Sequence, residues 1–154
     1  MMELGLNNKV VLITGGARGI GAATVRAFLN ENSNVIFADR DFESGEKLAK
    51  SIGPNVKFIE AELNTIESCR KTVEKTVSFF GGIDVLVNNA GFNDGLGLET
   101  PPEEFMNSVR SNLLHVYAIT HYSLPQLRRS KGCIVNLGSK VSETGQGNTS
   151  AYAA

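Results

Sequence analysis

The fold of this chain is decided by one stretch, Val10-Val11-Leu12-Ile13-Thr14-Gly15-Gly16-Ala17-Arg18-Gly19-Ile20-Gly21. Its continuous apolar, β-branched start predicts a strand buried on both faces. A glycine-rich turn follows, and then a helical pattern over residues 20–31. Glycines let the backbone approach a pyrophosphate, and the free N–H groups of a helix start stabilise an anion. The stretch therefore predicts a dinucleotide-phosphate site, built from Gly15, Arg18, Gly19, Ile20 and Gly21.

The rest of the chain repeats the same alternation of apolar runs and amphipathic stretches. Strands are predicted at residues 35–38, 56–59, 85–87 and 133–135, with helices over 42–52, 65–80 and about 101–129 between them. Right-handed crossovers then give an α/β fold, a doubly wound Rossmann-type parallel sheet in the order 3-2-1-4-5. Residues 1–154 form one domain. This fold normally has a sixth strand, and nothing after Asn136 offers one, so we expect a sheet truncated before it.

The bulk composition excludes several classes of protein. The 154 residues are 42% hydrophobic and 20% charged, with a formal net charge of -1. Neither nucleic acid nor an anionic membrane is an expected partner. No apolar run could cross a bilayer and the N-terminus lacks a leader pattern, so a cytoplasmic protein is expected. Cys69 and Cys133 are expected to be free, partly buried thiols, and no metal site is expected.

Asp39 ends the second predicted strand, 18 residues after Gly21. A carboxylate there can accept hydrogen bonds from the adenosine ribose hydroxyls, and it would repel a 2′-phosphate. Arg18 and Arg40 are opposing signals, because either could reach such a phosphate. We favour the carboxylate, which predicts NAD as cofactor, with NADP less suitable.

The spacing of TGGARGIG, residues 14–21, resembles that of the short-chain dehydrogenase/reductase superfamily. The resemblance continues at Glu62-Leu63, where the family lines its adenine pocket, although the family usually has Asp or Asn first. It continues at Asn88-Asn89-Ala90-Gly91, the element that steadies the central sheet and touches the cofactor through residues matching Asn89 and Gly91.

The resemblance also implies the catalytic residues. Asn112 matches the helix asparagine that organises a proton-relay water, and Ser139 and Tyr152 match the catalytic serine and tyrosine. Tyr152 would take the proton of an alcohol, with Ser139 donating a hydrogen bond to the substrate oxygen. A free phenol has a pKa of about 10, so a nearby cation is needed.

In the family that cation is a lysine four residues after the tyrosine, a position beyond Ala154. We therefore expect residues 1–154 alone to be inactive. The family also implies a homo-tetramer for the intact protein.

Polar residues crowd the predicted catalytic region. The stretches GFNDGLGLE, NLLHVYAITHY and TGQGNTSAY resemble the L-fucose dehydrogenase branch of the superfamily. That implies a sugar substrate oxidised at C1 to a lactone. Two other interpretations stay open, a reductase of 3-oxoacyl or other small ketones and a catalytically silent NAD-binding module. The candidate substrate ligands are Asn93, Asp94, Lys140, Gln146 and Asn148.

Overall fold

The computed structural model describes residues 4–154 and contains a five-stranded parallel sheet in the order β3-β2-β1-β4-β5. This confirms the predicted fold class and strand order. The strands are β1 (Val10–Thr14), β2 (Asn34–Asp39), β3 (Val56–Glu60), β4 (Val85–Asn88) and β5 (Cys133–Asn136).

The central strand is β1, which pairs with β2 on one side and with β4 on the other. The register aligns Thr14 with Ala38, so the strands end at one common edge. From β1 the chain first adds β2 and β3 on one side of the sheet. It then returns to the other side of β1 and adds β4 and β5. The crevice outside the carboxyl ends of β1 and β4 is therefore the place where ligands of such sheets bind.

Helices cover both faces of the sheet. The long helices are α1 (Gly19–Asn30), α2 (Phe42–Ile52), α3 (Ile66–Phe80) and α4 (Pro102–Ser130), and two short ones follow β5, α5 (Val141–Thr144) and α6 (Ser150–Ala153). Val25 of α1 packs in the same core cluster as Leu48 of α2. Cys69 of α3 and Ile119 of α4 pack in a second cluster. The apolar stripes thus place α1 and α2 on one face and α3 and α4 on the other.

Local signals set the helix ends close to the predicted positions. Asp41 accepts a hydrogen bond from the Ser44 N–H at the start of α2, and Thr65 accepts one from the Ser68 N–H at the start of α3. These are N-cap contacts, which satisfy backbone donors that the first helical turn leaves free. Gly81, at a φ of 81°, ends α3 in the left-handed conformation.

The outermost strand β5 lies open to solvent. All four of its residues are exposed, including Ile134 and Val135, so both faces of β5 are open, and it pairs with β4 along one edge. The prediction that both thiols are partly buried is therefore wrong for Cys133, which is exposed, whereas Cys69 is fully buried. An apolar run marks a strand but does not show whether a neighbour covers it.

Within residues 4–154, no helix has both the length and the apolar character that crossing a membrane requires. The leader-peptide prediction concerns in part residues 1–3, which lie outside the described residues. In the same described part of the chain, no three His, Cys, Asp or Glu side chains gather closely enough to hold a metal ion.

Candidate functional site

The turn after β1 is built so tightly that it excludes side chains. A Cβ placed on Gly15, whose φ is +67°, would lie 2.8 Å from the Cα of Ala90. A Cβ on Gly21 would lie 1.9 Å from the carbonyl oxygen of Gly15. Real Cβ atoms do not approach other atoms this closely, so both positions require glycine. Glycine at these positions therefore lets the turn pack its backbone directly against itself and against the Asn89-Ala90 segment after β4.

The start of α1 offers backbone donors to that crevice. The Ala22 N–H donates to the Arg18 carbonyl in the first hydrogen bond of the helix. The N–H groups of Gly19, Ile20 and Gly21 precede it and have no partner within the helix. Together with the positive end of the helix dipole, they suit an anion such as a pyrophosphate. The residues present thus fit the phosphates of a dinucleotide.

The Thr14 hydroxyl ties the turn to the segment after β4. It accepts hydrogen bonds from the N–H groups of Asn89 and Ala90, at 3.1 and 3.0 Å, and it is fully buried. The Asn89 side-chain amide in turn donates to the carbonyls of Thr14 and Gly15, both at 2.8 Å. The predicted site does not include Thr14, although a hydroxyl at the end of an otherwise apolar buried strand is a signal that could have found it.

Asp39 lies at the carboxyl end of β2, beside the turn. One carboxylate oxygen accepts from the Ala17 N–H at 2.9 Å, and the other accepts from the Asp41 N–H at 3.0 Å. The side chain therefore holds the glycine turn against β2. Each oxygen has a further lone pair with which a ribose hydroxyl could be bound.

The two arginines that could reach a 2′-phosphate both have other partners. Arg18 donates from Nε to the Ser44 hydroxyl at 2.9 Å and pairs with the Asp41 carboxylate. The pKa of Asp41 is lowered, first by the hydrogen bond from the Ser44 N–H and further by the charge of Arg18. The guanidinium carbon of Arg40 lies 5.7 Å from the centroid of the Phe92 ring.

The backbone of Glu62 and Leu63 is held by the start of α3. The Ser68 hydroxyl donates to the Glu62 carbonyl at 2.6 Å, and the Cys69 thiol approaches the Leu63 carbonyl at 3.9 Å. Burial raises the pKa of Cys69 to about 11, so the thiol stays protonated and can donate a hydrogen bond to the Leu63 carbonyl. The start of α3 therefore positions Glu62 and Leu63, the two residues predicted to line the adenine pocket.

A side-chain network joins β4, β5 and α4 below the crevice. The Asn88 amide donates to the Asn136 side-chain oxygen at 2.8 Å and to the Thr120 hydroxyl at 3.2 Å. Asn88 is 2% exposed. The prediction included Asn88 only as part of a motif and did not include Asn136 or Thr120, because pairing between strands does not appear in a single apolar run.

Asn112 of α4 fixes the loop that leaves β4. Its Oδ1 accepts from the Phe92 N–H at 2.9 Å, and its Nδ2 donates to the Ser108 carbonyl at 3.1 Å. A Cβ on Gly91 would lie 3.4 Å from the same Oδ1. Asn112 thus packs directly beside the loop that contains Gly91.

Ser139 and Tyr152 lie on neighbouring elements after β5. The Ser139 hydroxyl accepts from the Val141 N–H at 3.2 Å, just before α5. Half-buried Tyr152 lies on α6, which contacts both α5 and α4. Among residues 4–154, no hydrogen bond directly joins the side chains of Ser139, Tyr152 and Asn112.

The candidate substrate ligands belong to two segments that meet. The Ser150 N–H donates to the Leu96 carbonyl at 2.7 Å, which joins the loop after β4 to the start of α6. Asn93 and Asp94 are exposed on the first segment, and Gln146 and Asn148 are exposed on the second. Lys140 is exposed at the start of α5. No hydrogen bond joins any two of these five side chains within the described residues.

Comparison with known proteins identifies the family. The sequence model of the short chain dehydrogenase family matches residues 9–154. The chain belongs to the short-chain dehydrogenase/reductase family. This confirms the resemblance inferred from the motifs. Members of this family bind nicotinamide cofactors, in agreement with the bare glycine turn and the free N–H groups of α1.

Three known proteins show the degree of similarity. The mouse (Mus musculus) protein L-fucose dehydrogenase is 39% identical over 150 residues, which cover 96% of this chain and 55% of the relative. The crystal structure of Cj0485 dehydrogenase superposes with a TM-score of 0.91 at 39% identity, covering 99% of this chain and 59% of that one. The Brucella melitensis 3-ketoacyl-(acyl-carrier-protein) reductase, complexed with NADH, gives a TM-score of 0.89 at 31% identity, covering 96% and 64%.

The chain spans about half the length of the curated relatives it matches. The matched part contains the glycine turn, Asp39, the segment after β4 and the candidate catalytic residues up to Tyr152.

Proposed function

We propose that the intact protein is an NAD-dependent dehydrogenase that oxidises a sugar at C1 to a lactone, with L-fucose or a close stereochemical relative as substrate. One observation carries the proposal, the hydrogen bond between Leu96 and Ser150 that brings two polar segments together beside the helix of Tyr152. The many hydrogen-bond donors and acceptors of a sugar suit a pocket lined by these polar segments better than they suit an apolar pocket. The similarity to L-fucose dehydrogenase supports the same substrate class.

The reaction removes one hydride and one proton from the sugar. The nicotinamide ring supplies the hydride acceptor when the cofactor is bound. Tyr152 takes the proton of the anomeric hydroxyl as the C1 hydrogen leaves, and the remaining electron pair forms the carbonyl of the lactone. Ser139 donates a hydrogen bond to that oxygen and so stabilises the charge that develops on it. Asn112 holds the loop after Gly91 in place.

The cofactor-binding residues have separate roles in this proposal. The N–H groups of Gly19, Ile20 and Gly21 hold the pyrophosphate, and Asp39 binds the ribose hydroxyls. Glu62 and Leu63 line the adenine pocket, while Asn89 and Gly91 contact the cofactor beside the ribose. The carboxylate of Asp39 beside the ribose position supports NAD over NADP, because it would repel a 2′-phosphate.

The experiment that tests the proposal is a substrate panel. The intact protein is incubated with NAD and with L-fucose, D-arabinose, L-galactose, D-glucose and a series of simple secondary alcohols, while NADH formation is followed at 340 nm. We expect turnover with the sugars that share the stereochemistry of L-fucose. NADH formation with the simple alcohols and with no sugar would reject the substrate assignment.

A second candidate is reduction of a 3-oxoacyl group or another small ketone, supported by the similarity to the 3-ketoacyl-(acyl-carrier-protein) reductase. The same residues serve it in reverse, with Tyr152 donating the proton. Consumption of NADH with acetoacetyl thioesters, faster than any sugar oxidation, would favour this function over the first.

Removing the charge of Asp39 should weaken the preference for NAD. In Asp39→Asn the amide oxygen can still accept from the Ala17 N–H, whereas the acceptor for the Asp41 N–H and the repulsion of a 2′-phosphate are lost. We expect the ratio of kcat/KM with NAD to that with NADP to fall on the order of tenfold or more. Glu31→Gln, which makes the same charge change at the end of α1, should leave the ratio unaltered. An unaltered ratio in Asp39→Asn would mean that another group selects the cofactor.

The polypeptide of residues 1–154, produced alone, should have no measurable turnover. It lacks the cation that the family places one helical turn after the tyrosine, and its open β5 favours association between chains. Turnover with NAD is compared with that of the intact protein, and light scattering follows association of the same sample. Near-intact activity of a soluble 1–154 monomer would show that the catalytic groups have been assigned wrongly.

A further inference from the structure

The side chain of Asn88 joins two other elements through one amide group. Its Nδ2 donates to the Thr120 hydroxyl of α4 at 3.2 Å and to the Asn136 Oδ1 of β5 at 2.8 Å. Asn88 is 2% exposed, so little of its side chain is open to water. A buried donor that loses its partner keeps its desolvation cost, so this amide needs both acceptors.

The bond to Asn136 lies at the end of the pairing between β4 and β5. The register aligns Asn88 with Asn136, and each is the final residue of its strand. Just beyond, the Leu137 N–H donates to the Asn88 carbonyl at 2.9 Å. Asn88 therefore holds the end of β5 twice, through its side chain at residue 136 and through its backbone at residue 137.

Ser139 follows this anchored end after Gly138. Its hydroxyl accepts from the Val141 N–H at 3.2 Å, and its carbonyl accepts from the Ser142 N–H at 3.2 Å. In the part of the chain that the structure describes, residues 138–145 form hydrogen bonds only with one another. Hydrogen bonds therefore attach the turn that contains Ser139 to the sheet only through the end of β5.

The bond of Asn136 differs in kind from the other contacts of its strand. It is the one side-chain hydrogen bond that β5 makes within residues 4–154. The side chains of Ile134 and Val135 are apolar, and apolar contacts have no preferred direction. A hydrogen bond, by contrast, fixes both a distance and an angle. Asn136 is therefore the side chain that can set where β5 ends.

We propose that Asn136 is a positioning residue that acts through Ser139. By holding the end of β5 to Asn88, it fixes the place from which the Ser139 hydroxyl donates to the substrate oxygen. Such a donor is effective only when it is aimed at the point where charge develops, and a misplacement of about 1 Å can cost roughly 10²-fold in rate. The inference rests on the proposed function for the role of Ser139, and it does not depend on which sugar or ketone is the substrate.

Two variants of Asn136 test the bond itself. Asn136→Leu has a similar size and removes the acceptor, whereas Asn136→Asp keeps an oxygen for the Asn88 amide. In the intact protein, with the best substrate of the panel, we expect kcat to fall about tenfold or more in Asn136→Leu and to stay within about threefold of the unmodified value in Asn136→Asp. The KM for NAD should change by less than about twofold in both variants, because Asn89 and not Asn136 binds the glycine turn.

Thr120→Val is the matched control for stability. It removes the other acceptor of the same Asn88 amide and leaves β5 bonded to β4. Thr120→Val and Asn136→Leu should therefore both lower the melting temperature, whereas only Asn136→Leu should lower kcat. Equal losses of kcat in the two variants would mean that general loosening of the network is responsible, and would overturn the proposal.

A double-mutant cycle with Ser139→Ala determines whether Asn136 acts through the serine. Ser139→Ala alone should lower kcat by about 10²- to 10³-fold. Adding Asn136→Leu to it should lower kcat by no more than about twofold further, since the group that Asn136 positions is already gone. A full second loss in the double variant, or an unaltered kcat in Asn136→Leu alone, overturns the proposal. An unaltered kcat in Ser139→Ala instead rejects the catalytic assignment of the proposed function, and the inference with it.

Discussion

Replacing Tyr152 by Phe is expected to lower the rate of alcohol oxidation by about 10²- to 10⁴-fold, the usual contribution of a general base. The phenyl ring keeps the packing of α6 against α4, so the loss comes from the missing hydroxyl. The NADH affinity of the variant should stay within about twofold of the unmodified value, because the N–H groups of residues 19–21 that bind the phosphates lie on the other side of β4 from Tyr152. The measurements are kcat with the best substrate of the panel and NADH affinity by fluorescence titration.

The matched control for this variant is Tyr117→Phe. Tyr117 is 72% exposed on α4 and loses the same hydroxyl. Its activity should equal that of the unmodified protein. If Tyr152→Phe retained more than a small fraction of kcat at saturating substrate, a different residue would have to accept the proton.

Replacing Gly21 by Ala is expected to weaken cofactor binding strongly. The added Cβ would lie 1.9 Å from the Gly15 carbonyl oxygen and 2.6 Å from the Asn89 side-chain nitrogen. The turn or α1 must move apart, which pulls the donors of α1 away from the phosphates and overpacks a buried site. We expect a loss of about 1–3 kcal/mol in the free energy of unfolding and of roughly 100-fold or more in NADH affinity.

Gly82→Ala is the control, because its Cβ would meet nothing closer than 3.4 Å, at the end of the Arg129 side chain. Thermal unfolding and NADH titration are compared for the two variants. Wild-type NADH affinity in Gly21→Ala would mean that the cofactor does not lie on this turn.

The sequence predicted the sheet well because each strand and helix carried its own local pattern. The run from Val10 to Ile13 and the cap at Thr65 need no knowledge of distant residues. Strand order followed from right-handed crossovers together with the usual order of a doubly wound sheet.

The contacts that assemble the site could not be predicted in the same way. The Thr14 hydroxyl binds residues 75 and 76 positions later, and Asn88 binds Asn136 on the neighbouring strand, 48 positions later. The contact of Arg40 with Phe92 depends on the path of a loop, for which there is no periodic pattern. Likewise, an apolar run does not show whether other elements cover the faces of its strand, which is why the exposure of Cys133 was missed.

The bond from the Ala90 N–H to Thr14 has a consequence for how the chain acquires its function during folding. Contacts between residues so far apart in the chain form slowly, because a long loop must close before they stabilise anything. The strands β1, β2 and β3 can pair within the first 60 residues, yet a nucleotide finds no complete cradle until β4 has docked on β1. Nucleotide present during refolding should therefore slow unfolding strongly while changing the folding rate little, since it binds only after the slow step is complete.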